Sequence, residues 1–264
     1  MSLIRREKPD TALLCSLYFH KKDKARKANT LKWYDNITKT AGRAFNLYLY
    51  DDCSDISLKW LKRGLQPTGY CKNIYFFDSG VREGKAKKLN KLLREIKTKY
   101  VCVIDNDLLL PQNWLEECVT VCEAPRVKVC GVLVEDSLKL KKLETVAGVR
   151  FSIVNYLGGA CMVWNRLGLG DQGFFCEKFG PYGEEDNEFL VRIGNLFGYV
   201  VALEKRGAHL TKAQDCKEYM AWKAEQQHMA QKHSHPLIHK LRMMHRHLLD
   251  KGKSAYPPLF PKRR

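Results

Sequence analysis

The sequence predicts an α/β fold: a mostly parallel central sheet flanked by helices, followed by a basic helical C-terminal extension. Three observations lead there. Short apolar runs of strand length recur along the chain, and several lack polar alternation, as strands buried on both faces do. Segments of helical length separate them, so strand and helix alternate. Polar residues cluster just after the runs, where open α/β sheets hold their ligands. With 264 residues the chain can bury one full core.

Taken in order, Thr11 to Phe19 reads as the first strand. The basic stretch from His20 to Lys27 leads into a helix through Leu31, Trp33 and Ile37, closed by Gly42. Ala44 to Tyr50 is a second strand ending in Asp51-Asp52-Cys53-Ser54-Asp55, and a short helix over 55–63 follows. Asn73 to Phe77 is a third strand, then comes a glycine-containing loop and a basic helix over 85–98. Tyr100 to Ile104 forms the fourth strand and runs straight into Asp105-Asn106-Asp107. Pro111 suits the first turn of a helix carrying Trp114, Leu115 and Val119, and Val127 to Val134 is a further strand. The second half is less regular. Val146 to Val154 and Gly158 to Trp164 read as strands about a glycine pair, followed by a glycine-rich loop over 168–183. Glu184-Glu185-Asp186 opens a helix with apolar face Phe189, Ile193 and Leu196/Phe197, stopped by Gly198. Val200 to Leu203 is a last strand that ends near His209. Residues 215–232 and 236–250 read as helices, and 256–261 as an extended tail. The expected division is a core over 1–212 and a basic, His-rich helical extension over 213–264.

Composition narrows the function classes. No apolar run approaches the roughly 18 residues of a membrane helix, and the charged start of the chain is no signal peptide, so a cytoplasmic protein is expected. The ten cysteines are scattered through apolar segments with no Cys-x-x-Cys pair, which points to reduced, packed thiols and away from a disulfide framework or a zinc site. Lys and Arg outnumber Asp and Glu by 46 to 29, a net charge of +17. Residues 205–264 hold fourteen of the basic residues against four acidic ones, and seven of the eight histidines. Such a field favours polyanionic partners: nucleic acid, an anionic membrane surface or a phosphorylated substrate. A merely solvated basic surface is the alternative.

The chemistry centres on Asp105 and Asp107. Two carboxylates one residue apart at a strand end repel each other unless a cation or hydrogen-bond donors compensate, and hard oxygen ligands suit Mg²⁺ or Mn²⁺. Such ions usually also hold substrate phosphates. Four polar sites each follow a strand: Asp51/Asp52, the Gly84 loop, Asp105/Asp107 and His209. A fifth, Glu185/Asp186, begins a helix.

Together these residues resemble the GT-A fold glycosyltransferases of the broad family-2 type. Asp51-Asp52-Cys53-Ser54-Asp55 is similar to that family's Asp-Asp-Gly-Ser-x-Asp, with Cys53 in place of the glycine. Gly84-Lys85-Ala86-Lys87-Lys88-Leu89-Asn90 resembles its Gly-(five residues)-Asn element, with Leu89 where an arginine is common. Asp105-Asn106-Asp107 matches the Asp-x-Asp motif, Gly158-Gly159-Ala160 the Gly-Gly-Ala strand, Glu185-Asp186 the Glu-Asp pair and His209 the late metal-binding histidine. The likeness runs over about residues 10–212, in the family's order.

The resemblance implies a Rossmann-like GT-A core and the following roles. Asp52 would accept a hydrogen bond from the nucleotide base, with Gly84, Lys85, Lys88 and Gly159 also on the donor. Asp105 would lie near ribose and metal, and Asp107 and His209 would bind the Mn²⁺ or Mg²⁺ that bridges the diphosphate of a nucleoside-diphosphate sugar, UDP-sugar first. Asp186 would be the general base, with Glu185 beside it raising its pKa. One base and one metal fit a single displacement with inversion.

Each residue also has a plain structural reading. Glu184 to Asp186 could simply favour a helix N-terminus, and His209 could be a satisfied core histidine. Asp51, Asp52 and Asp55 could be turn or cap residues, and the lysines of 85–88 could be solvated helix charges. A glycoside hydrolase uses paired carboxylates too, but needs neither Asp52 nor a metal pair. A binding module that had lost catalysis would not need intact Asp107, Asp186 and His209. For the acceptor, basic and aromatic residues interleaved after His209 (Tyr219, Trp222, Tyr256) suit phosphate contacts and base stacking, so a hydroxymethylated base in DNA is favoured. The rival is a lipid-linked or lipopolysaccharide acceptor at an anionic membrane, with Leu237, Leu241, Met244 and Leu248 as an apolar helix face. On either reading, acceptor binding after His209 is expected to be separable from donor turnover.

Overall fold

A computed structural model describes residues 8–21, 24–134, 140, 143–154, 157–180, 182–210, 221–232 and 236. Strand β1 (Thr11–Leu17) lies between β2 (Phe45–Asp51) and β4 (Tyr100–Ile104), and β3 (Cys71–Asp78) borders β2; all of these pairings are parallel. The crossovers are α1 (Lys24–Thr40) after β1, α2 (Lys59–Gly64) after β2 and α3 (Lys85–Glu95) after β3. The predicted absence of alternation has its expected cause. Leu13, Cys15 and Leu17 pack into a core cluster with Trp33 and Ile37 of α1, while Ala12 and Leu14 join a second cluster with Leu89 and Leu92 of α3. A side chain such as Leu13 or Leu14 gains roughly 1.5–3 kcal/mol from full burial, on whichever face it points.

Beyond β4 the chain forms the two-residue β5 (Leu108–Leu109), α4 (Trp114–Cys122) and β6 (Val127–Leu133). Next come β7 (Glu144–Val146), β8 (Val149–Ile153) and β9 (Cys161–Asn165), a single turn α5 (Arg166–Leu169), then α6 (Glu185–Leu196), β10 (Tyr199–Arg206) and the two-residue β11 (Ala208–His209). The nine-stranded sheet has the order β3-β2-β1-β4-β9-β6-β10-β8-β7. β9 runs antiparallel between β4 and β6, so its start lies beside the end of β4. β6 and β10 are parallel to each other, which leaves β1 to β4, β6 and β10 all pointing one way.

Two expectations change. The strand expected over Val146 to Val154 is instead a hairpin, β7 with β8, pairing Val146 with Val149. Its turn is Ala147-Gly148, both at positive φ (46° and 81°), the geometry of a two-residue hairpin loop. The short helix begins at Lys59, later than position 55, because Asp55 is drawn to β1: it accepts from the Tyr18 hydroxyl at 3.0 Å and the Lys21 amide at 3.2 Å. Residues 221–232 are helical, as expected within 215–232; the 212/213 boundary, the segment 237–250 and the tail lie outside the described residues. The described cysteines are all free, and seven are buried, as packed thiols should be. No helix among the described residues is long and apolar enough to cross a membrane.

Candidate active site

A cleft of about 450 Å³ opens over the C-terminal ends of β1 and β4. Its floor is made by Ser16 to Tyr18 and Asp105 to Asp107, and its far side by Gly158 to Ala160 and the start of α6. This is where strands of one direction end together and loops diverge, the usual ligand position of such sheets. Topology explains the convergence. Because β9 is antiparallel, the glycine pair that precedes it arrives beside Asp105, whose amide donates to the Ala160 carbonyl at 2.9 Å.

At one end, Asp52 follows β2 and lines the cleft while remaining 8% exposed. Its Oδ1 accepts from the Glu83 and Gly84 amides (3.1 and 3.2 Å) and meets the Lys88 ammonium at 3.2 Å. Lys88 is fully buried. Its three protons go to the Asp51 carbonyl (2.8 Å), the Ser79 hydroxyl (2.7 Å) and the Val81 carbonyl (3.0 Å). Lys88 and Gly84 therefore lie behind the cleft wall and do not line it. That corrects the expectation of direct donor contact: an ammonium with every proton committed has none for a phosphate. Gly84 sits at φ 86°, a left-handed turn into α3 that brings its amide to Asp52.

At the centre, Lys85 does enter the cleft. Its ammonium donates to Asp105 Oδ1 at 2.9 Å and stands 3.9 Å from Glu185 Oε1. Burial works to lower the lysine pKa, but Asp105, Glu185 and Asp186 outweigh it and the ammonium is held more firmly than usual. Asp105 is pushed up by burial, with Asp107 and Asp186 adding to the effect and Lys85 opposing it. Glu185, at 6% exposed, moves from the usual 4.5 to about 7, first through burial and then through Asp186 beside it. Asp186 is seated against the glycine pair. A Cβ on Gly159 would lie 2.3 Å from Asp186 Oδ2, so only glycine admits this carboxylate. Gly159 thus serves by having no side chain.

The end that carries Asp107 and His209 is built by a small second sheet. β11 pairs with β5, setting His209 opposite Leu108, and the Leu210 amide donates to the Asp107 carbonyl at 2.6 Å. Asn29 and Thr30 of α1 tie the same corner, through the Leu210 carbonyl (2.9 Å) and the Asn106 side chain (2.7 Å). Asp107 Oδ1 is buried and accepts no hydrogen bond among the described residues; His209 Nδ1 stands 3.7 Å away, too far for one. Burial works to raise Asp107, but His209, Arg26 and Lys223 outweigh it and hold the carboxyl below its usual range. A buried carboxylate oxygen that accepts no hydrogen bond, beside an imidazole, is a fitting pair of donors for Mg²⁺ or Mn²⁺. Among the described residues no three acidic, His or Cys side chains close a metal cage. Asp105, expected to share the metal, is turned to Lys85. Two protein ligands leave positions for substrate oxygens, which is how Mg²⁺ is usually held at phosphate sites.

The remaining wall comes from residues 221–232. Trp222, Lys223 and Gln227 line the cleft, with Trp222 6.2 Å from the Tyr182 ring. The Arg82 guanidinium lies between Tyr18 (3.9 Å) and Trp222 (4.4 Å). Gly183, at φ 97°, lets the 182–184 turn before α6 approach this segment; a Cβ there would stand 3.3 Å from Gln227 Cα. Part of the expected extension thus lines the cleft.

Residues 26–164 match the model of glycosyl transferase family 2. The chain belongs to this family. No curated protein matches the sequence. Among solved structures it is similar to the mannosyltransferase PcManGT from Pyrobaculum calidifontis in complex with GDP-Man and Mn²⁺: TM-score 0.59, 17% identity, over 82% of this chain and 60% of that one. Staphylococcal TarS residues 1–349 (S. aureus) give 0.56 and 16%, over 82% and 64%. GalNAc-T7 with UDP, GalNAc and Mn²⁺ gives 0.55 and 14%, over 77% and 43%. The chain thus spans less than two thirds of each, and at these identities the likeness speaks for the fold, a GT-A fold.

Within this family-2 chain the two departures from the motifs have separate outcomes. Leu89 is wholly buried in the α3 core cluster. Cys53 takes φ 58°, a left-handed conformation that a glycine there would adopt without strain. Sequence reasoning missed Arg26, Arg82, Tyr182 and Lys223. Basic and aromatic residues are common along the chain, and no spacing singled these out.

Proposed function

We propose that this family-2 protein is a metal-dependent glycosyltransferase that moves a sugar from a nucleoside-diphosphate sugar to a hydroxyl acceptor with inversion. The observation that carries this reading is the cleft itself: Asp107 Oδ1, which accepts no hydrogen bond among the described residues and lies 3.7 Å from His209 Nδ1, belongs to a residue lining the same 450 Å³ space as Asp186. Bound there by Asp107 and His209, Mg²⁺ or Mn²⁺ would neutralise charge developing on the leaving diphosphate. Asp52 accepts the base N–H with its second oxygen. Arg26 and Lys223, which face Asp107, add positive charge on the diphosphate side. Asp186, fixed against Gly159, takes the proton of the acceptor hydroxyl. Glu185 and Lys85 set the field around it. The GDP-mannose and UDP complexes of the structural neighbours support a nucleotide-sugar donor, UDP-sugar being the first to try.

The acceptor is a polyanion, and the +17 charge, concentrated after position 205, favours a hydroxymethylated base in DNA. The test is a mass measurement. Hydroxymethylated DNA is incubated with Mn²⁺ and a panel of UDP- and GDP-sugars, and one sugar mass per modified base is expected. Glycosylation of lipid extracts alone would replace the DNA acceptor with a lipid one. Donor binding without turnover of any donor would leave a binding module.

A further inference from the structure

We infer that Lys88 is the positioning residue of the donor's base end: a buried ammonium that holds the Asp52 carboxylate and the 79–84 loop in register. The inference rests on the reading of Asp52 as the acceptor for the base. Lys88 is unlike its neighbours on α3. Lys85 opens into the cleft and Lys91 pairs with Glu83 at the surface, whereas Lys88 is 0% exposed. A buried charge is costly to desolvate, and replacing both members of a buried ion pair by apolar residues often gives equal or better stability. What an apolar residue cannot do is bridge two chain segments by hydrogen bonds.

Lys88 does so. One proton goes to the Asp51 carbonyl at the end of β2, and two go to Ser79 and Val81 in the loop before α3. The Tyr50 ring covers the ammonium at 4.5 Å. Asp52 Oδ1 then receives the ammonium charge and the two loop amides of Glu83 and Gly84 on one oxygen. This holds the carboxylate of a cleft-lining residue by one oxygen and leaves Oδ2 for a ligand. The same loop carries Arg82, seated between Tyr18 and Trp222. Lys88 therefore fixes the base acceptor from behind the cleft wall, without lining the cleft itself.

The consequence is selective. Losing Lys88 should weaken the nucleoside end of the donor and spare the diphosphate end. The test measures binding of UDP, uridine and pyrophosphate, each with Mn²⁺, to full-length native protein, Lys88→Met, Asp52→Asn and the double variant. Because Lys88→Met strands a buried carboxylate, the double variant, which replaces that carboxylate by a neutral amide, keeps the test open if the single variant does not fold. Uridine and UDP should bind about tenfold or more weakly to Lys88→Met, and pyrophosphate should bind as before. Adding Lys88→Met to Asp52→Asn should cost little further, since Lys88 acts through Asp52. Multiplying losses in the double variant, or weakened pyrophosphate in step with uridine, would overturn the inference and make Lys88 a general stabiliser. If Asp52→Asn weakens uridine while folded Lys88→Met does not, the inference also falls, alone. If Asp52→Asn binds uridine like the native protein, the assignment of Asp52 falls and takes this inference with it.

Discussion

The two ends of the cleft are built on opposite electrostatic plans. At the base end, Asp52 is matched by Lys88 and two amides, and every proton of the lysine is used. At the other end, Asp105, Asp107, Glu185 and Asp186 face the cleft; Lys85 bonds to Asp105, and Arg26, His209 and Lys223 face Asp107. Lys85 and Lys88 are one helical turn apart on α3, yet Lys88 seals a wall and Lys85 opens into the cleft beside Asp105 and Glu185. On the proposed function, the difference teaches that this site separates recognition from chemistry. A balanced end can be rigid before anything binds, whereas an unbalanced end is completed by a cation.

Removing a metal ligand should break the unbalanced end most severely. Asp107→Ala should reduce Mn²⁺-dependent donor turnover by about 10³-fold or more, with the fold retained because the residue sits at the cleft rim. Circular dichroism and turnover of UDP-sugars check both parts, and full activity at saturating donor would remove Asp107 from the metal site. Asp186→Asn comes next. It keeps the shape that Gly159 accommodates and removes the proton acceptor, so transfer should fall ~10²–10⁴-fold while UDP affinity stays within about twofold. An unchanged transfer rate would shift the base to Glu185.

Trp222→Ala tests whether the roof belongs to the balanced end. Trp222 stacks on Arg82, a contact worth about 1 kcal/mol, so UDP should bind several-fold more weakly. Calorimetry giving native affinity would detach residues 221–232 from donor binding.

Glu185 sharpens the contrast through pH. Its folded pKa is raised to about 7 from 4.5, so the folded state holds its proton over a range in which the unfolded chain has lost it. Stability from this group is fully present below about pH 4.5 and is lost as pH rises towards 7. Thermal melts of the metal-free protein should show that loss, and Glu185→Gln should flatten it. An identical pH slope in the two proteins would contradict the burial of Glu185. The smallest effect is expected at Cys53, where Cys53→Gly relieves a left-handed residue and should raise stability by about 0.5–1 kcal/mol in denaturant melts.

Much was determined by the sequence alone. Uninterrupted apolar runs such as Tyr100 to Ile104 can be buried only between two helical layers, and polar residues placed after them must gather at one edge. The α/β class, the strand order of events along the chain and the rim position of Asp52, Asp105, Asp107, Asp186 and His209 follow from local pattern and motif. Tertiary structure decided what each of those residues faces. The antiparallel insertion of β9 brings Gly159 under Asp186, and the β5–β11 pair brings His209 to Asp107 across about a hundred residues. Lys85 and Lys88 read alike in the sequence, and only the packing of α3 against the end of β2 sends one into the cleft and the other behind it. Likewise nothing local distinguishes Arg82 or Trp222 from other basic and aromatic residues. Contacts between segments far apart in the chain depend on strand order and direction, which short-range pattern does not encode.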